Sequence, residues 1–97
     1  MANNQGTATI DFGASPGANE ASIAVTGQTT ISATSKCESF IMADDTTSDH
    51  TASDHRYLAA LAGLTCGTPT AGTGFTIYAT SLEKLIGTFK LRWVWTD

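Results

Sequence analysis

The fold class is decided by one stretch of sequence near the end of the chain, Thr88-Phe89-Lys90-Leu91-Arg92-Trp93-Val94-Trp95-Thr96. Within it, every second side chain is large and apolar, and the residues between them are polar or smaller. Because successive side chains of a β-strand point to opposite faces, this alternation predicts a strand with one aromatic face. Such a face is typical of a strand that fills a hydrophobic core.

The same alternation recurs along the rest of the chain. It predicts strands at residues 7–12, 21–26, 36–43 and 75–80. Residues 29–34 form either a third strand or a continuation of the second. A turn at Gly27 is favoured, which would make them a third strand. Segments rich in Gly and Pro separate these runs and are typical of turns. We expect a loop at residues 67–74 and a short connection at residues 81–86, with space for a helical turn.

Residues 55–66 fit two structures. As a strand, the segment places on one face Leu58, Ala60, Ala62, Leu64 and Cys66. As a helix, it places in one stripe, at spacings of three and four, Tyr57, Leu58, Leu61 and Leu64. Helix propensity is only a weak guide, and the other segments all indicate β structure, so we favour a strand.

Short strands at intervals of roughly ten residues predict an all-β fold, an antiparallel β-sandwich of Ig-like or jelly-roll-like type with six to seven strands. We expect residues 7–97 to form this single domain, after a flexible N-terminal arm at residues 1–6. Strands and helices do not alternate, which excludes a doubly wound parallel sheet. The predicted core consists of Ile10, Phe12, Ile23, Val25, Phe75, Ile77, Phe89, Leu91, Trp93 and Trp95.

The composition limits the size of that core. Of the 97 residues, 48 are Ala, Gly, Ser or Thr, and only 24 are Val, Ile, Leu, Met, Phe, Tyr or Trp. A chain of this length buries only about 60–70% of the surface that its unfolded state exposes. We therefore expect a homo-oligomer, in which neighbouring subunits bury further apolar surface.

Charge and hydropathy exclude several classes of function. The net charge is −4 with five basic residues, which argues against binding to nucleic-acid phosphates. Charged residues make up 14% of the chain, too few for a coiled coil. No apolar run approaches the roughly 20 residues that span a bilayer, and the first residues lack the apolar segment of a secretory signal. We expect neither nucleic acid nor a membrane as a partner.

The segment Asp49-His50-Thr51-Ala52-Ser53-Asp54-His55 repeats the pair Asp-His. Carboxylates and imidazoles are metal ligands, but positions five apart diverge on both a strand and a helix. We therefore expect a solvated loop over residues 44–54, with His50 and His55 as candidate interface contacts.

A Ser-His-Asp triad is not favoured, since the chain has no Gly-x-Ser-x-Gly motif. We predict no catalytic, cofactor-binding or metal-binding residues, and no cofactor.

Lys90 and Arg92 alternate with the apolar positions of the last strand and so face outward. We expect them to form a solvated face whose charges protect a sheet edge. The alternative is a docking contact with an acidic partner surface, which makes both residues candidate interface residues.

Cys37 and Cys66 are separated by 29 positions and lack Cys-x-x-Cys spacing. A disulfide framework in a chain this short usually has more cysteines. We expect both cysteines to be buried and to pack as small apolar residues. One alternative is a disulfide between them, and another is a reactive or metal-bound thiol.

Several short segments together resemble a known group of proteins. They are Ile10-Asp11-Phe12-Gly13, Pro16-Gly17-Ala18, Val25-Thr26-Gly27-Gln28, the two Asp-His pairs, Gly72-Thr73-Gly74-Phe75-Thr76-Ile77-Tyr78, Gly87-Thr88-Phe89 and Trp93-Val94-Trp95. This pattern spans nearly the whole chain and is similar to small proteins encoded among the virion genes of tailed bacteriophages.

The resemblance implies a non-enzymatic structural part of a phage particle. The first expectation is a capsid decoration (cement) protein, assembled in the bacterial cytoplasm and located in the virion, where it contacts the major capsid protein. A neck or tail accessory protein is the first alternative. A further alternative is a receptor- or carbohydrate-binding module in which Trp93 or Trp95 stacks on a sugar. The last is a small metal-dependent enzyme built on the Asp-His segment.

Overall fold

The computed structural model describes residues 3–42 and 50–96. They form six strands and one helix, in the order β1 (Asn3–Asp11), β2 (Ala18–Val25), β3 (Lys36–Ile41), α1 (Ala52–Leu61), β4 (Ala62–Cys66), β5 (Phe75–Leu85) and β6 (Thr88–Thr96). The strands make two antiparallel sheets, with the order β1-β6-β3 in one and β2-β5-β4 in the other. We name them the β6 sheet and the β5 sheet after their central strands. The predicted all-β antiparallel sandwich is confirmed.

The core lies between the two sheets. The residues of the predicted core are all buried except Ile23, which is partly buried and packs against the others. Leu58 of the helix and Ile31 are buried with them. The rings of Phe75 and Trp93 meet edge to face with their centroids 5.6 Å apart, so the two central strands contact each other through aromatic side chains.

Residues 55–66, predicted as a strand, divide into most of α1 and the whole of β4. The prediction was wrong for the helical part because a capping box starts a helix there. Thr51 Oγ1 accepts a hydrogen bond from the N–H of Asp54 at 3.3 Å, and Asp54 Oδ2 accepts one from the N–H of Thr51 at 3.2 Å. His55 and Leu58 are the residues of this helix that are buried, and they lie on the same face. Within the described part of the chain, no helix is long and apolar enough to cross a membrane.

Residues 29–34, for which a strand is predicted, form turns and irregular backbone. The backbone is satisfied locally, because the Ser32 N–H donates to the Ser35 hydroxyl oxygen at 3.0 Å and the Ser35 N–H donates to the backbone oxygen of Ser32 at 3.1 Å. Such local hydrogen bonds compete with the ladder of a sheet. Ile31 is still buried in the core. The alternation of apolar and polar residues here therefore reflects one buried side chain and not a strand.

Two strands are longer than the sequence predicts. β1 begins at Asn3, where the backbone pairs with Thr96, so residues 3–6 belong to the β6 sheet and not to a flexible arm. β5 continues through the predicted connection to Leu85, which pairs with Ala18. In both cases, backbone pairing with a strand that is distant in the sequence, β6 for β1 and β2 for β5, continues beyond the residues that alternate between apolar and polar.

Candidate functional site

The Asp-His segment brings both of its histidines against Phe89 of β6. Residues 43–49 lie outside the described residues, and so do Asp44, Asp45 and Asp49. The described part of the predicted loop, residues 50–54, is not a solvated loop throughout, because Thr51 caps α1 and residues 52–54 belong to its first turn. The site therefore consists of a helix start packed on a strand.

His50 lies flat on the ring of Phe89, with the ring centroids 3.9 Å apart and the planes 16° from parallel. Its Nε2 lies 2.8 Å from the backbone oxygen of Ile86, and its Nδ1 lies 3.1 Å from Asp54 Oδ2. Both nitrogens thus face oxygen acceptors, an arrangement that the doubly protonated imidazolium satisfies with two donated hydrogen bonds. In that form His50 and Asp54 are an ion pair across one turn of chain.

His55 is 0% exposed and meets the edge of the Phe89 ring at a centroid distance of 5.2 Å. Its Nδ1 lies 2.7 Å from the backbone oxygen of Thr51, and its Nε2 accepts a hydrogen bond from the backbone N–H of Lys90 at 2.8 Å. One nitrogen faces an acceptor and the other a donor, which is the pattern of the neutral imidazole with its proton on Nδ1. The expectation that His55 is an interface contact is therefore wrong, because the ring is sealed inside the subunit.

Asp54 completes the site at the surface of the helix. The hydrogen bond from the backbone N–H of Thr51, followed by that from His50, holds the pKa of Asp54 below its ordinary value of 3.8. The carboxylate therefore stays charged at neutral pH, and its negative charge interacts favourably with the positive N-terminal end of the α1 dipole.

A small pocket of about 140 Å³ opens beside these residues, lined by His50, Asp54, Tyr57, Leu58, Leu85 and Phe89. Sites for metabolite-sized ligands usually measure about 300–1,000 Å³. The larger depression of about 350 Å³ lies elsewhere, on the outer face of the β5 sheet. As the described residues outline it, the pocket beside His50 has space for one small apolar group and is smaller than the usual site for a metabolite.

The chain matches no protein-family model, no curated protein and no solved structure.

The chemistry open to the histidine site is restricted by its hydrogen bonds. Among residues 3–42 and 50–96, no cluster of three or more His, Cys, Asp or Glu side chains is placed to hold a metal ion. The lone pair of His55 Nε2 accepts the hydrogen bond from the Lys90 N–H, so a metal ion could bind that nitrogen only by displacing this bond. What the arrangement does is fasten the start of α1 to β6.

Lys90 and Arg92 project from the outer face of the β6 sheet and are half-buried. β6 is the central strand of that sheet, so the expectation that these charges protect a sheet edge is wrong. Arg92 Nη2 donates a hydrogen bond to Oε1 of Gln5 on the neighbouring β1. Lys36 on β3 shares this outer face, which therefore carries three of the five basic residues.

Cys37 and Cys66 are both free and partly buried, and both pack against the core. They lie on edge strands of opposite sheets, β3 and β4. Burial, together with the nearby Cys66, raises the pKa of Cys37. Burial also raises the pKa of Cys66, whose Sγ donates to Ser39 Oγ at 3.7 Å.

Trp93 and Trp95 are 7% and 0% exposed, so neither presents a ring to a ligand. Trp95 Nε1 donates instead to Gln28 Oε1 at 2.9 Å, inside the subunit. In the described part of the chain, two aromatic rings do reach the outer face of a sheet: Phe40 on β3, which is 46% exposed, and Tyr78 on β5, which is 49% exposed. Sequence reasoning missed Tyr78, although its place between the buried Ile77 and Ala79 marks it as outward-facing.

Proposed function

We propose that the protein is a non-enzymatic structural subunit of a tailed-bacteriophage virion, and that it acts as a capsid decoration (cement) protein through subunit contacts. The observation that supports a non-enzymatic role is the engagement of His55, one of the two histidines of the Asp-His segment. Both of its ring nitrogens are bonded to backbone atoms, and the side chain holds α1 on β6. The resemblance of the short sequence segments to virion proteins supplies the setting.

The surface of the subunit supports a role in contacts. Leu82 of β5 is 85% exposed and Tyr57 of α1 is 62% exposed, while Phe40 and Ile86 are each about half exposed. Single exposed apolar side chains are ordinary, but a subunit assembled in many copies covers such side chains with its neighbours. In this proposal the major capsid protein and further copies of the chain are the partners, and the virion, assembled in the bacterial cytoplasm, is the location.

The proposal is tested on particles of the phage that encodes the chain. Mass spectrometry of gradient-purified particles should find the chain in a fixed ratio to the major capsid protein. Particles that lack the chain should form but release their DNA at a lower temperature than complete particles. If the chain is missing from purified particles, the proposal is wrong. If heads are stable without it and only tail attachment fails, the protein is the neck or tail accessory part.

A second candidate function is glycan binding, and the observation that favours it is the position of Tyr78. Its ring stands between two shallow depressions of about 350 Å³ and about 160 Å³ on the outer face of the β5 sheet. Hydroxyl groups and one carboxylate surround it, including Ser22, Thr80 and Glu20. An exposed ring among hydrogen-bonding groups suits a neutral sugar, which stacks on the ring face. Loss of glycan-array binding on Tyr78→Ala, with binding retained in Tyr57→Ala, would favour this function.

A further inference from the structure

Among the strands of the described residues, four have a hydrogen-bonded neighbour on one side only: β1 and β3 in the β6 sheet, and β2 and β4 in the β5 sheet. An open edge presents unpaired backbone N–H and C=O groups to any other strand. Proteins that remain monomeric usually block such edges with charge, a bulge, shortness or a covering element. The four edges differ in whether they carry these devices.

Three of the edges are protected. β4 has five residues and is contacted by α1. β3 is also contacted by α1, and it carries the exposed charges of Lys36 and Glu38. β2 carries the exposed Glu20 and an irregularity in its pairing register between Ala18 and Glu20.

As far as residues 3–42 and 50–96 show, β1 carries none of these devices over most of its length. It has nine residues, and its register with β6 runs without a shift from Asn3 to Asp11. The strand contains no Lys, Arg or Pro, and its single charge is Asp11 at the far end. The side chains on its outer face include Gln5, Thr7 and Thr9, which are exposed, neutral and favourable in strands.

We propose that β1 pairs antiparallel with β1 of a second copy of the chain, about a two-fold axis at Thr7. The two β6 sheets then join into one continuous six-stranded sheet. In this register Thr7 faces its own counterpart, and Gln5 faces Thr9, so each opposed pair on the outer face can exchange side-chain hydrogen bonds. A two-fold axis makes the same edge serve both partners, which closes the assembly at a dimer.

Charge does not oppose this pairing. With Thr7 at the axis, the two Asp11 residues are eight positions apart along the joined strands, about 27 Å at the rise of a β-strand. That distance is well beyond the screening length of about 8 Å at physiological ionic strength. The self-pairing of β3 centred on Glu38 would instead place two carboxylates directly opposite each other.

This inference deepens the self-association in the proposed function, but it does not need the virion setting. It is tested on the purified chain alone, whereas the virion proposal is tested on phage particles. Either can therefore fail without the other. A strand-edge interface is small, so the dimer should be weak and its population should depend on concentration.

The test compares matched pairs of Thr→Lys substitutions by sedimentation equilibrium, up to protein concentrations on the order of 1 mM. The wild type should approach twice the monomer mass of 10.1 kDa. The double variant Thr7→Lys/Thr9→Lys should weaken dimerisation by a factor on the order of ten or more, because like charges then oppose each other across the axis. The control Thr65→Lys/Thr80→Lys adds the same charge on exposed positions of the β5 sheet and should dimerise as the wild type does.

A cross-linking experiment keeps the proposal testable if the lysine variant does not fold. In a background in which Cys37 and Cys66 are replaced by alanine, Thr7→Cys should form an intermolecular disulfide under mild copper–phenanthroline oxidation, and Thr65→Cys should not. A wild type that remains monomeric at the highest concentration overturns the proposal. So does a dimer that survives the Thr7→Lys/Thr9→Lys change, or equal cross-linking at positions 7 and 65.

Discussion

The backbone N–H of Lys90 donates a hydrogen bond to Nε2 of His55 at 2.8 Å, and this bond joins α1 to the middle of the β6 sheet. The other ring nitrogen of His55 is bonded to the Thr51 backbone oxygen at the start of the helix. One buried side chain therefore fixes the helix start on the strand that carries the aromatic core. His50, its counterpart in the Asp-His repeat, contacts the same Phe89 ring from a partly exposed position.

Replacing His55 by leucine should destabilise the protein by about 1–3 kcal/mol, because it leaves the Lys90 N–H without its partner and the Thr51 C=O with only the hydrogen bond from the backbone N–H of residue 55. Urea unfolding followed by circular dichroism measures the change. His50→Leu is the matched control and should cost less, since the partners of His50 can bond to water. Equal losses for the two variants would contradict the structural role assigned to His55.

Replacing Gly6 by alanine should cost about 1–3 kcal/mol, because the new methyl group has no space. A Cβ on Gly6 would lie 2.6 Å from Cζ2 of Trp93, whose ring is held in the core. Gly63→Ala on β4 is the matched control, since a Cβ there meets nothing within 4 Å. Its unfolding free energy should stay within about 0.5 kcal/mol of the wild type. A tolerated Gly6→Ala change would show that β1 does not pack under Trp93.

How much the sequence predicts depends on how far apart the deciding residues lie. The aromatic face of β6 and its alternation with Lys90 and Arg92 are local patterns, and they correctly predict a core strand and the all-β class. The helix is also marked locally, since Thr51 and Asp54 have the spacing of a capping box. The strand prediction for residues 55–66 did not use that signal and followed the β pattern of the surrounding chain.

The site itself depends on contacts that no local pattern contains. His55 is buried because Lys90, 35 positions later in the sequence, supplies a donor for its ring. The expectation for His55 as a surface contact follows from its polar neighbours, and it fails because helix formation turns that residue inward. In the same way residues 3–6 look like an arm until the far end of β6 pairs with them.

The stability of the protein should fall in acid through Asp54. Its pKa is below 3.8 in the folded chain, owing to the bonds from the Thr51 N–H and from His50. The carboxylate therefore contributes stability above its ordinary pKa, and this contribution is lost as the pH falls through the lower folded value. The wild type should be more stable than Asp54→Asn at pH 6, and the difference should shrink between pH 4 and pH 2. A difference in unfolding free energy that is the same at both ends of this range would contradict the assignment.

The two tryptophans should report a dry core. Because Trp93 and Trp95 are almost completely buried, their emission should be blue-shifted and acrylamide should quench it far less in the folded protein than in urea. Added glycans should leave the spectrum unchanged even if Tyr78 binds a sugar. A red-shifted native emission, or a shift on adding glycans, would place at least one tryptophan at the surface.

The thiols should react slowly in the folded protein. Burial raises the pKa of both Cys37 and Cys66, so less thiolate is present at neutral pH, and alkylation requires the thiolate. Iodoacetamide should modify the native chain several-fold more slowly than the chain unfolded in urea, as measured by intact mass over time. The single variants Cys37→Ser and Cys66→Ser assign the two rates. A native rate equal to the unfolded rate for either thiol would mean that its strand does not hold it against the core, since an opened sheet edge would restore both water and the ordinary pKa.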